Sequence, residues 1–214
     1  MEHAAGFAAG LTAAPSRALD LGAGGGLPGL VLARSWPGGT MVLLDASKGR
    51  CEFLEWAVGE LALADRVEVV RARAEMAARD ARLRGTFDLV VARGFGRPAV
   101  TAECGAPFLR NGGRLVVSDP PASGREVPRS AVPTGGASPS RSVRGGAGGD
   151  GSRGEAGPIT GAQERWPAAA LAVLGLVPEA AWARPFHFRS FVLDQQCPER
   201  YPRRDGVPAK RPLF

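Results

Sequence analysis

The sequence predicts a doubly wound α/β fold: a mostly parallel sheet with helices on both faces and an antiparallel hairpin at its C-terminal edge. Three observations carry this. Short apolar strands alternate with segments of helical period between residues 17 and 119. The fourth strand, FDLVVAR, is an almost unbroken apolar run, as expected where both faces are covered. The first strand, RALDLG, enters a bend with five glycines between Leu19 and Leu30, and a helical pattern follows at once.

Each element can be justified in turn. After the bend, PGLVLARSW reads as a helix with Pro28 at its first position, where a missing N–H costs nothing. TMVLLD is the second strand. SKGRCEFLEWAVGELAL places Leu54, Ala57, Val58 and Leu61 on one helical face. RVEVVRA is the third strand, AEMAARDARLR the next helix and FDLVVAR the fourth strand. PAVTAECGAPFL is then helical, NGG is a stop and RLVVSD the fifth strand. From Pro120 to Pro158 the chain has no Leu, Ile, Met or aromatic residue, too little apolar surface to order itself, so residues 120–163 are expected to form a disordered insertion. ERWPAAALAVLGLV resumes as a helix leading to a strand, and the alternating FHFRSFVLD closes the sheet edge. The expected organisation is a short N-terminal segment (1–16), a binding core (17–119), the insertion, a return of the same domain (164–198) and a basic tail (199–214).

Composition narrows the function. The net charge of +6 favours an anionic partner, nucleic acid first. The longest apolar runs fall well short of the roughly 20 residues of a membrane-spanning helix. Glu2 and the lack of a basic stretch before an apolar run argue against a secretory leader, so cytoplasm is the expected compartment. Cys51, Cys104 and Cys197 are widely spaced, and with only His3 and His187 beside them they suggest neither disulfides nor a metal site. Cys51 and Cys104 sit in apolar helical patterns and read as buried structural thiols.

The glycine bend lies at the carboxyl end of the first strand, where open α/β sheets bind ligands. Two patterns compete there. Gly24, Gly26 and Gly29 fit G-x-G-x-x-G, a dinucleotide signature, while Asp20, Gly22, Gly24 and Gly26 fit acid-x-G-x-G-x-G, the pattern of S-adenosylmethionine-dependent methyltransferases. Asp20 favours the second, because a carboxylate suits a cationic amino acid and sulfonium but repels a pyrophosphate. Asp45 ends the second strand, where an acid accepts from both ribose hydroxyls of either cofactor; its bland alternative is a helix N-cap.

The segments LDLGAGGGLPGLVLA, LLDASKGRCEFLE, VVRARAEM, FDLVVARGF and LRNGGRLVV, in that order, with the tail RYPRRDGVPAKRPLF, resemble the glucose-inhibited division protein B family of small-subunit 16S rRNA guanine-N7 methyltransferases. The likeness covers residues 17–119 and 164–214. It implies a class I, Rossmann-like methyltransferase fold with S-adenosyl-L-methionine as cofactor and rRNA or the small ribosomal subunit as partner, and a monomer is expected. By position it implies a cofactor pocket of Asp20, Gly22, Gly24, Gly26, Leu27, Asp45, Ala74 and Glu75. Arg93 would face the transferred methyl group as both cofactor contact and catalytic residue. Arg203, Arg204, Lys210 and Arg211 would grip RNA phosphates. The chain departs from that family in its short N-terminal region and at Asp119 and Pro120, where the family has a lysine-glycine pair. The SDPP stretch from Ser118 to Pro121 is similar to an amine-methylating motif, but it follows the fifth strand and lacks the aromatic residue.

Two other functions fit these residues. One is a methyltransferase for a small molecule or protein, which would not need the tail. The other is a non-catalytic paralogue that binds cofactor and RNA without turnover.

Overall fold

A computed structural model describes residues 2–119, 165–183 and 186–214. The expected disordered insertion and the boundary residue 164 lie outside the described residues, as do Pro120 and Pro121 of the SDPP stretch.

The parallel strands are β1 (Arg17–Leu21), β2 (Thr40–Asp45), β3 (Val67–Arg71), β4 (Phe87–Ala92) and β5 (Leu109–Asp119). Two more, β6 (Leu176–Ala183) and β7 (His187–Leu193), complete a single sheet in the order β3-β2-β1-β4-β5-β7-β6. β1 pairs in parallel with both β2 and β4, while β7 runs antiparallel to β5 and β6, which is the expected edge hairpin. Strand order therefore reverses between β1 and β4. That reversal opens a crevice at the carboxyl ends of both strands.

Side chains alternate between the two faces of the sheet. Leu19, Leu21, Val42 and Leu44 pack into one core with α5 (Pro98–Gly105) and α6 (Ala168–Ala172). Ala18, Met41 and Leu43 pack into the other with α2 (Gly29–Ser35) and α3 (Lys48–Glu60). The three cysteines are free thiols, all buried. No helix among the described residues is long and apolar enough to cross a membrane.

Several local expectations need correction. Pro28 is the N-cap of α2 rather than its first residue. Leu61 is 39% exposed, because it lies at the C-cap of α3 where the helical stripe has ended. The fourth helix, α4, spans only Ala74–Ala77. Asp80 Oδ1 accepts from the Arg82 backbone N–H at 2.9 Å, a local turn that competes with continued helix. NGG is not a stop but part of β5: Gly112 takes φ +75, and a Cβ on Gly113 would meet Phe87 O at 2.7 Å, so these glycines let the strand shift register beside β4. The first residues are folded too. A short α1 (Glu2–Gly6) leads into Phe7, which is fully buried and edge-on to Phe188 at 4.9 Å.

The basic tail is packed as well. Tyr201 and Pro208 are buried, and Val207–Lys210 forms a single turn, α7, after Gly206 at φ +72. Arg84 ties the approach to the tail by donating to the carbonyls of Tyr201, Cys197 and Pro198 at 2.8–3.1 Å.

Candidate active site

The glycine bend is built where β1 must turn sharply into α2. Gly22 and Ala23 donate their N–H groups to Leu44 O at 2.9 and 3.0 Å, clamping the bend to the end of β2. Gly22, Gly24 and Gly26 all have positive φ, the left-handed region that a residue without Cβ enters freely. A Cβ on Gly22 would stand 2.6 Å from the Phe95 ring, and one on Gly26 2.3 Å from Leu30 Cδ1. The bend is thus fixed in shape by its neighbours.

Asp45 organises the same corner from β2. Its Oδ2 accepts from Gly24 N at 3.0 Å and its Oδ1 from Ser47 N at 2.8 Å, with Arg50 Nη1 3.5 Å away. A carboxylate has about four lone-pair sites, so two remain for further donors. A cavity of about 220 Å³ opens beside it, lined by Gly22, Asp45, Ala46, Ala72, Ala74 and Phe95 among others.

Asp20 lies beneath the bend rather than in its mouth. It is 1% exposed, and its Oδ2 accepts from Gly29 N at 2.7 Å at the start of α2. Burial, with the charge of Asp45 adding, pushes its carboxyl up to about 7, against the pull of the Gly29 N–H and of Arg93. Arg93 follows the last residue of β4 and is exposed; its positive charge reaches both Asp20 and His3.

Of the residues expected at the cofactor, Gly22, Asp45 and Ala74 share this cavity. Gly24 adjoins it through its bond to Asp45, Gly26 is packed back against α2, and Leu27 is 41% exposed on the bend. Glu75 is directed to the tail, where its Oε1 accepts from Gly206 N at 3.0 Å. Arg203 is also turned inward, onto Glu103. Arg204, Lys210 and Arg211 remain exposed.

A residue not singled out in the sequence, Phe95, proves central. It lines the cavity beside Asp45 and also a second cavity of about 350 Å³ at the ends of β4 and β5. A glycine-flanked aromatic directly after a central strand was the available signal. Asp119 and Trp166 line the second cavity too, but their meeting depends on the pairing of β5 with β7, which the sequence does not display.

Comparison with known proteins shows what the chain is similar to. The family model for rRNA small subunit methyltransferase G matches residues 7–120. A Ribosomal RNA small subunit methyltransferase G from Rubrobacter xylanophilus is 32% identical over 200 residues, covering 94% of this chain and 66% of that protein. Its counterpart from Carboxydothermus hydrogenoformans is 32% identical over 201 residues, covering 92% and 70%. One from Parasynechococcus marenigrum is 41% identical over 100 residues, covering 47% of this chain and 40% of that protein. The chain thus spans between 40% and 70% of the length of these curated relatives. Among solved structures, a putative sarcosine dimethylglycine methyltransferase from Galdieria sulphuraria aligns with TM-score 0.46 and 22% identity, over 56% of this chain and 44% of that one. The matched residues 7–120 contain the glycine bend, Asp45 and the β4 terminus, and the likeness to the Rubrobacter relative runs through nearly the whole chain: it belongs to the rRNA small subunit methyltransferase G family.

Proposed function

We propose that this chain is an S-adenosylmethionine-dependent methyltransferase acting on the N7 position of guanine in 16S rRNA, working in the cytoplasm as a monomer on rRNA or the small ribosomal subunit. The observation that carries the reading is the joining of Gly24 and Asp45 through one hydrogen bond at the point where strand order reverses.

The residues present fit the cofactor. Asp45 keeps lone pairs for a ribose diol after bonding Gly24 and Ser47. Ala46, Ala72 and Ala74 offer small walls and backbone groups for an adenine. Asp45 puts a carboxylate against the bend, which suits a cation and disfavours the pyrophosphate of a dinucleotide. When bound, the cofactor would supply an electrophilic methyl group for the guanine N7 lone pair, with a neutral thioether as its leaving group. N7 carries no proton, so the chain has none to remove, and its task is to hold base and donor in line. Phe95, shared by both cavities, is placed to align the two. Arg93, exposed between the cavity-lining Ala92 and Gly94, holds positive charge beside them, and Arg204, Lys210 and Arg211 contribute phosphate contacts.

Asp45→Ala tests the pocket. Calorimetry is expected to show at least a tenfold loss of S-adenosylmethionine affinity, and unchanged affinity would remove Asp45 from the site. Mass-spectrometric mapping of 16S rRNA from cells with and without the gene tests the substrate, with loss of one N7-methylguanosine expected.

A small-molecule or protein substrate is favoured by one observation, the inward turn of Arg203, which takes a cation from the RNA-facing set. That reading predicts that neutralising Arg204, Lys210 and Arg211 leaves turnover unchanged.

A further inference from the structure

Three buried side-chain polar atoms among the described residues lack a hydrogen-bond partner: His3 Nδ1, Asp119 Oδ1 and Trp166 Nε1. All three residues line the one cavity of about 350 Å³ that shares Phe95 with the cofactor side. Folded proteins leave few such atoms, and their gathering around one hollow points to a polar occupant that completes them.

The chemistry of the walls says what kind. Asp119 is held from two sides: its Oδ2 accepts from Arg189 Nε at 2.9 Å, and Arg165 Nε lies 2.8 Å from Oδ1 without hydrogen-bond alignment. The carboxylate is therefore fixed in orientation, with Oδ1 accepting no hydrogen bond and one lone pair of Oδ2 also left. Trp166 is 6% exposed and packs on Phe191 at 4.8 Å between ring centroids, so its indole N–H is a fixed donor. Phe95 and Phe186 supply aromatic surface. A hollow with aromatic walls, an acceptor fixed at Asp119 and a donor fixed at Trp166, with the His3 imidazole beside them, suits a planar heterocycle that offers the reverse set.

Among the RNA bases, guanine presents an acceptor, O6, beside two adjacent donors, N1–H and the 2-amino group. Adenine would turn its N1 lone pair toward the carboxylate, cytosine its N3 lone pair, and uracil would flank its one N–H with two carbonyl oxygens. We propose that this cavity reads the Watson–Crick edge of the target guanine, Asp119 accepting from N1–H and the 2-amino group and Trp166 donating to O6. The base must leave its stack to enter, as bases read on that edge by modifying enzymes do. Its N7, on the neighbouring edge beside O6, is then left free of these contacts, with Phe95 between this cavity and the cofactor side. The inference rests on the methyl-transfer reading for that orientation, but the recognition of guanine is separate from it.

Indole N–H resonances of the full chain, labelled with nitrogen-15, test it, with Trp166 assigned by its loss in Trp166→Phe. Guanosine monophosphate is expected to move the Trp166 resonance. Inosine monophosphate, lacking the 2-amino group, should bind about tenfold more weakly, and adenosine monophosphate should leave the resonance in place. Asp119→Asn should lower the guanine preference about tenfold. Should that variant lose its fold by circular dichroism, the comparison of the three nucleotides on the unaltered chain decides. Equal shifts with guanine and adenine nucleotides, or no shift with either, overturn the proposal. Cofactor affinity measured alongside separates the two readings: cofactor binding without guanine preference sinks the pocket alone. Guanine preference without cofactor binding sustains the pocket and sinks methyl transfer.

Discussion

Glu103, fully buried on α5, holds Arg203 through both carboxylate oxygens: Oε1 accepts from Arg203 N and Nε at 2.9 and 2.8 Å, and Oε2 from Nη2 at 2.6 Å. Removing one member of such a pair leaves an uncompensated buried charge. Arg203→Ala is expected to destabilise the chain by about 3 kcal/mol or more, whereas the exposed Arg204→Ala should stay within about 0.5 kcal/mol of the parent. Thermal unfolding of both variants checks this, and similar melting of the two would refute it.

Arg204, Lys210 and Arg211 carry the opposite expectation. All are exposed, so their joint replacement by alanine should leave melting unchanged while weakening RNA binding. Each lost phosphate contact should reduce the slope of log affinity against log salt by about 0.7–0.9. Titrations of a 16S rRNA fragment at several potassium chloride concentrations measure that slope, and an unaltered one would exclude these side chains from the interface.

Asp20 makes stability depend on pH in a defined direction. Its carboxyl sits at about 7 in the folded chain against an ordinary 3.8, chiefly through burial. Between these values the folded chain holds a proton that the unfolded chain has released, so this group's contribution falls as pH rises and levels off above about 7. Asp20→Asn stays neutral and keeps an oxygen for the Gly29 N–H. Urea unfolding at about pH 5 and about pH 8 should show the parent losing ground to the variant at the higher pH. An equal gap at both would mean that Asp20 does not titrate in that window.

Gly29 stands where the bend meets α2, and a Cβ there would lie 2.4 Å from Leu43 Cδ2 and 2.7 Å from Asp20 Oδ2. Gly29→Ala is expected to cost about 1–3 kcal/mol by overpacking. It should also weaken cofactor binding, because the displaced Asp20 no longer anchors the bend. A variant with parental melting and affinity would show that the bend absorbs a methyl group freely.

What could be read from the sequence was whatever depends on near neighbours. β2 and the run of α3 follow from composition and period alone, and the pairing of glycine bend with Asp45 follows from the order of strand, turn and helix. The NGG misreading shows the limit: glycines that usually end an element here relieve crowding against Phe87, a contact made across strands. Glu103 and Arg203 are 100 positions apart, so a tail arginine could not be told from a phosphate ligand without the fold. His3, Asp119 and Trp166 meet only because α1, β5 and the β7 edge converge, and no spacing in the chain announces that.

Glu75 and Glu103 each receive the backbone of the tail, at Gly206 and Arg203, and Leu213 with Phe214 packs on the core beneath. The final segment therefore acts as a closing stitch over α4 and α5. Cutting it away would unpick that seam and strip two acids of their partners at once, so a truncated chain would report on lost architecture instead of lost affinity for RNA.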